Sequence, residues 1–138
     1  MQVDDLLAIP EMKPESIERL RDFVVFLPNT EEIDTKVNAN TASPEVLSAR
    51  IDTLSLSDAK AIVANRERSY FRQESDLQMT QPPLGGAKVG ISSNFFLVNG
   101  KVQLGRGYLE MLALIQRSDG DPRAGGNSAT RIIWVREN

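Results

Sequence analysis

The sequence predicts an α+β chain, a helical domain followed by a small antiparallel sheet. Three observations predict it. Through residues 1–80, apolar residues recur at helical spacing behind helix-start residues. The stretch Gln81-Pro82-Pro83-Leu84-Gly85-Gly86-Ala87 is dense in Pro and Gly. After it, β-branched and aromatic runs take over. Charge shifts at the same place. Residues 1–80 hold 9 Lys and Arg against 15 Asp and Glu, a balance of −6; residues 81–138 hold 7 against 4, a balance of +3. The expected organisation is a helical domain over 1–80, a Pro/Gly linker over 81–92 and strands over 93–138.

The elements follow in order. Asp4-Asp5 ahead of Leu6, Leu7 and Ile9 predicts a short capped helix. Pro10 ends it, because the residue before a proline is pushed out of helical geometry. Pro14 suits the first turn of a second helix, with Ile17, Leu20 and Val24 along one face. Leu27-Pro28-Asn29-Thr30 closes this unit. In the next unit, Asn38-Ala39-Asn40-Thr41-Ala42-Ser43-Pro44-Glu45 is rich in helix-start chemistry. Thr41 and Ser43 are both N-cap candidates, and Pro44 at the first helical position favours Ser43. Val46, Leu47 and Ile51 supply the buried side. Ser57-Asp58 opens a further helix, with Ala59, Ile62 and Val63 inward and Arg66 and Arg68 at the carbonyl end of its dipole. Phe71 and Leu77 pack a last short turn onto the bundle.

Ser93–Val98 reads as a strand. Asn99-Gly100 is a two-residue hairpin signal. Lys101 to Ser118 then runs back as a long strand, with Gly105 and Gly107 marking a bulge or bend. Met111–Ile115 would by itself also suit a helix. Residues 119–127 read as a loop, and Thr130–Arg136 as a third strand. Such a meander has one face to bury, so the sheet must pack on a helix.

Composition excludes several function classes. The chain has 138 residues and a net charge of −3, with neither cysteine nor histidine. Disulfides, thiolate metal sites and Cys nucleophiles are therefore absent. So is the usual general base near neutral pH. No apolar run approaches the roughly 20 residues that span a bilayer. A dedicated nucleic-acid binder would carry a surplus of Lys and Arg to displace counterions from phosphate. No phosphate-binding loop appears, and no carboxylate pair is marked out for acid–base work, so no enzyme is expected.

The two helical units form a diverged repeat. The second resembles the helix-hairpin-helix (SAM-like) family in its Asn-x-Asn-Thr-Ala motif, its Ala59-x-x-Ile62 helix, and Arg66 before the aromatic Phe71. In DNA-binding members of that family, two hairpin glycines let backbone N–H groups approach a phosphate. Here the hairpin is Asp52-Thr53-Leu54-Ser55, and the first unit has Pro10-Glu11-Met12. Both lack glycine and both are acidic.

A longer order of motifs is more specific. Leu6-Leu7-Ala8-Ile9-Pro10 leads to Leu27-Pro28-Asn29-Thr30, then Val37–Ala42, Arg66, Ser69-Tyr70-Phe71-Arg72, Ser92–Gly100 and Ile115-Gln116-Arg117. In this order the chain resembles the K-type minor pseudopilin family of the bacterial type II secretion system. The resemblance implies a helical domain inserted into a pilin-like fold with an antiparallel sheet. It implies a non-enzymatic component of the pseudopilus tip that assembles with I-type and J-type minor pseudopilins. That tip complex primes pseudopilus assembly and helps export folded proteins, with secreted cargo as a further contact. It also implies a periplasmic domain anchored to the inner membrane by an N-terminal helix that this chain lacks, so the chain reads as a C-terminal fragment. The alternative is a helix-hairpin-helix nucleic-acid-binding module, as in DNA-uptake proteins.

Asn38, Asn40, Thr41, Ala42, Arg66 and Phe71 are expected to be a structural motif, because short polar side chains fix local backbone. Arg66, Arg68 and Arg72 interleave with Glu67, Glu74 and Asp76 and read as a solvated face. Trp134 reads as sheet packing. No cofactor is required. Calcium is the one cation with candidate ligands, since some family members hold it near a disulfide that this chain cannot form. Those candidates are Glu31, Glu32 and Asp34, and also Asp119 and Asp121, which open like a calcium loop but lack its bidentate Glu.

Overall fold

The chain is α+β in a computed structural model that describes residues 3–28, 35–86, 88–118 and 129–137. It divides into two compact units, residues 1–91 and 92–138.

The first unit opens with a 3-10 turn, Val3–Ala8, in place of the expected capped α-helix. None of its residues is buried, and Leu7 and Ile9 are about half exposed. With no apolar side sealed, nothing draws the segment into a full α-helix. Helix α1, Pro14–Leu20, begins at its proline and buries Ile17. Glu11 at φ 76 makes the turn between the two.

Strand β1, Val37–Asn38, precedes α2, Pro44–Arg50. Ser43 caps α2 as expected, its Oγ accepting from the Val46 N–H at 3.3 Å. Helix α3 is Leu56–Arg68, so it starts earlier than Ser57-Asp58 suggested. Its N-cap is Ser55, whose Oγ accepts from the Asp58 N–H at 3.1 Å. Asp58 is the residue three beyond Ser55, the position whose orphan N–H a cap satisfies. Helix α4, Glu74–Gln78, starts in a capping box between Gln73 and Asp76.

The core of this unit joins Ala39, Leu47, Leu54, Ala59, Ile62, Leu77, Leu84 and Val89. Leu84 and Val89 lie inside the segment that the sequence marks as a linker, and that reading is corrected. Thr80 Oγ1 accepts from the Leu84 N–H at 2.9 Å, and the Leu84 N–H also donates to the Leu77 carbonyl at 2.8 Å. Strand β2, Val89–Gly90, then pairs in parallel with β1. The Pro/Gly stretch is thus a folded return path that closes the helical core.

The second unit is a meander in the order β3-β4-β5: Phe95–Leu104, Gly107–Ser118 and Ala129–Glu137. The chain turns at Gly105-Arg106, not at Asn99-Gly100. Leu104 pairs with Gly107, and Asn99 and Gly100 sit mid-strand opposite Leu112 and Met111. Gly105 has φ 59 at the first central position, which suits a II′ hairpin turn. Register supplies the reason. A turn at Asn99-Gly100 would set Phe96 opposite Gln103, whereas the observed turn sets Phe96 opposite Ile115 and Leu97 opposite Leu114. Met111–Ile115 is strand, not helix. A bulge at Leu114/Ile115 gives β5 one extra residue, Ile133.

Directly opposed residues share a face, so the register assigns the two faces. One carries Phe96, Val98, Val102, Leu109, Met111, Ala113, Ile115, Ile132 and Val135. Val102 is 55% exposed, Ile132 62% and Val135 52%. The other face centres on Leu97, Leu112, buried Leu114 and half-buried Trp134, with the Arg136 guanidinium 4.3 Å over the indole. Toward the hairpin that face turns polar. The Glu110 carboxylate accepts from Tyr108 Oη at 2.7 Å, Asn99 Nδ2 at 3.1 Å and Lys101 Nζ at 3.0 Å. These hydrogen bonds, that from Tyr108 foremost, hold Glu110 down to about 2. No helix among the described residues is long and apolar enough to cross a membrane.

Candidate functional site

The Asn-x-Asn-Thr-Ala motif lies between β1 and α2, and its residues meet Arg66 and Phe71 there. Asn38 Oδ1 accepts from the Asn40 N–H at 2.9 Å, an Asx turn that bends the chain off β1. The N–H groups of Thr41 and Ala42 donate back to the Asn38 carbonyl. The Ala39 N–H donates to the Gly90 carbonyl at 2.8 Å, which extends the parallel pairing. Ala39 is fully buried, so the turn packs against the core at a residue with one methyl group.

Asn40 faces the segment after α3. Its Nδ2 donates to the Phe71 carbonyl at 2.9 Å, and its Oδ1 accepts from the Phe71 N–H at 2.8 Å. A primary amide carries one donor group and one acceptor side by side, so it satisfies both backbone groups of one residue. An aspartate would keep the acceptor and lose the donor. The pairing fixes Phe71, whose ring packs on the core.

Arg66 closes the cluster from the last turns of α3. It lies seven residues after Ala59, on the stripe that also carries Ile62 and Val63. That position turns a charged residue inward. Its Nη1 donates to the carbonyls of Ala39 and Ala42, each at 2.6 Å. These oxygens lie at the turn that starts α2, so one guanidinium ties α3 to it. Burial holds the Arg66 pKa below its ordinary value. The solvated-face reading therefore suits Arg68 and Arg72, which are exposed, and not Arg66. Of the motif residues, only Thr41 stands exposed.

The turn between α2 and α3 is also anchored. Leu54 is buried, its N–H donates to the Ile51 carbonyl at 2.9 Å, and the Leu54 carbonyl accepts from Ser48 Oγ at 2.9 Å. Asp52 and Thr53 are exposed at the tip. Sequence reasoning missed Ser48, Thr80, Leu84 and Gly90 as partners in this framework. The available signals were a lone polar residue on the helical face and an apolar residue within a Pro/Gly run.

Two concavities flank the cluster. A cleft of about 480 Å³ lies along the C-terminal half of α3, bounded by Tyr70, Phe71, Met79 and Gln81. A smaller groove of about 350 Å³ runs between Leu20, Phe23 and Val24 on one side and Val37, Val46, Ala49 and Arg50 on the other. Arg50 Nε is buried there without a hydrogen-bond partner among the described residues.

The calcium candidates Glu31, Glu32, Asp34, Asp119 and Asp121 all lie outside the described residues. Within the described residues, no three Asp or Glu side chains converge on a metal-sized site. Asn38 Oδ1, both amide atoms of Asn40 and Arg66 Nη1 are taken up by backbone groups. The chemistry of these pairings is that of a clamp on the backbone.

No curated protein matches the chain. A family model does match, over residues 37–98, and its description is type II secretion system (T2SS), protein K. The matched segment begins at β1 and contains the whole Asn40–Phe71–Arg66 clamp, helices α2 to α4 and the first residues of β3. Over that segment, short of half of the chain, the chain is similar to protein K of the type II secretion system.

Proposed function

We propose that the chain is the periplasmic part of a K-type minor pseudopilin, a non-enzymatic assembly component at the tip of the secretion pseudopilus. The family match over residues 37–98 carries the reading. In it, α2, the Leu54 turn and α3 act as a helix-hairpin-helix-like unit turned to protein contacts, with the clamp residues as its structural motif. The first helical turn and α1 are its diverged counterpart. No phosphate-binding glycine stands in the α2–α3 turn.

The sheet's exposed apolar face supports the same reading. A soluble domain rarely leaves so continuous an apolar surface uncovered. The proposed cover is a hydrophobic pilin-type helix, which would anchor the precursor in the inner membrane and pack into the pseudopilus after assembly. The proposed partners are the I-type and J-type minor pseudopilins, with secreted cargo as a transient contact. The proposed role is to prime pseudopilus assembly and so help export folded proteins. It requires no cofactor, so chelation by EDTA is expected to leave the thermal midpoint unchanged. Reading the gene upstream of Met1 is the direct test. A hydrophobic segment of about 20 residues in frame supports the proposal. A gene that starts at Met1 and encodes no such segment would falsify it.

A further inference from the structure

We propose that the cleft beside α3 is a docking site for a partner protein chain that presents an acidic side chain next to an apolar one. The proposal does not depend on which assembly the protein serves, because it rests on the chemistry of the cleft.

Arg66 supplies the charge. Its Nη1 is spent on the carbonyls of Ala39 and Ala42, which holds the guanidinium plane in place. Its Nη2 and Nε have no hydrogen-bond partner, and Arg66 has no ion pair, among the described residues. Arg66 lines the cleft. A fixed guanidinium with two open donors matches a carboxylate better than any other protein group. Burial already disfavours its charge, with only neighbouring Glu67 opposing the effect.

The remaining lining fits a peptide. Asn65 and Ser69 offer side-chain polar groups with no partner among the described residues. Ile62 gives an apolar floor. Tyr70, 62% exposed, and Met79, 78% exposed, stand as walls. Aromatic, Met and Arg side chains are those enriched where proteins meet. Asp76 also lines the cleft, but its carboxylate accepts from the Arg72 and Gln73 N–H groups at the start of α4, so its charge is compensated locally.

The cleft also continues. Met79, Thr80 and Gln81 line a second concavity that runs on past Pro82 and Pro83. A site open along its length suits a chain passing through, so the carboxylate is assigned to an internal Asp or Glu rather than a chain terminus.

Amide NMR titration of the whole 138-residue chain tests this, with the probe acetyl-Gly-Leu-Asp-Leu-Gly-amide. Saturable shifts are expected at Asn65, Arg66, Ser69, Tyr70 and Gln81. The same peptide with Asn for Asp is expected to bind roughly tenfold more weakly, the loss of one charge-assisted contact. Arg66→Lys should weaken the Asp peptide similarly. Because Arg66 also ties the fold together, Tyr70→Ala serves as a second variant: it leaves the fold intact and weakens binding about threefold, as expected for a lost aromatic wall. No shifts in the cleft at about 10 mM peptide would overturn the proposal, since even a two-contact pentapeptide should reach millimolar affinity. Equal binding of the Asp and Asn peptides would overturn it as well. Tighter binding of N-acetyl-leucine than of the Asp peptide would reassign the site to a chain terminus and overturn it in this form.

Discussion

Replacing Asn40 with alanine removes both hydrogen bonds to Phe71, at 2.9 and 2.8 Å, and leaves a backbone N–H and a carbonyl without partners. A buried orphan of this kind costs about 1–3 kcal/mol. Both bonds are only partly buried, so water relieves part of the cost, and the expected loss is about 2–3 kcal/mol. With a urea slope of about 1–2 kcal/mol per molar, the unfolding midpoint falls by roughly 1–3 M. The assay must report the helical unit. The single tryptophan, Trp134, lies in the sheet, so helical circular dichroism and not tryptophan fluorescence is the readout. Thr41→Ala is the internal control. Thr41 is exposed, and its side chain makes no hydrogen bond among the described residues, so the change should stay within about 0.5 kcal/mol. A loss below about 0.5 kcal/mol for Asn40→Ala would refute the clamp, because a true two-point backbone pairing cannot be removed so cheaply. So would equal losses for the two variants.

Three further outcomes follow from the sheet. Gly105→Ala places a side chain at φ 59 and should destabilise the hairpin by about 1 kcal/mol, read as a lower thermal midpoint by tryptophan fluorescence. Glu110 lies well below its ordinary value, at about 2. Its contribution is therefore complete above pH 4.5 and fades as pH falls toward 2; Glu110→Gln should flatten the acid-unfolding curve in that window alone. Val102→Lys and Ile132→Lys alter residues that are 55% and 62% exposed, so each should leave the isolated chain within about 0.5 kcal/mol of the parent. In the pilin-type reading both should block incorporation into the pseudopilus in a secretion assay; normal secretion by both would count against a buried apolar face.

Much of this was legible locally. Ser43-Pro44 announced α2 because cap and first-turn chemistry are set by adjacent residues. Ala59, Ile62 and Val63 announced the buried stripe of α3, and the position of Arg66 on that stripe was available in the same spacing. The apolar runs in 95–104 and 129–137 announced strands. What escaped was set by distant contacts. Asn99-Gly100 and Gly105-Arg106 are both acceptable two-residue turns, and the choice fell to the register that faces Phe96 with Ile115. Leu84 and Val89 looked like residues of a linker because Leu84 is buried through the turn that folds it back on Leu77, and Val89 through β1, which is distant in sequence. The Asn40–Phe71 pairing spans 31 residues, and only the resemblance to a known family pointed at those two positions together.

The central claim is membership of a tip complex, and the most direct test is size exclusion with light scattering on this chain mixed with the soluble domains of the I-type and J-type minor pseudopilins. A single 1:1:1 species is the predicted result. Three separate species, obtained also with a chain extended by the proposed upstream hydrophobic segment or a soluble stand-in for it, would contradict the claim.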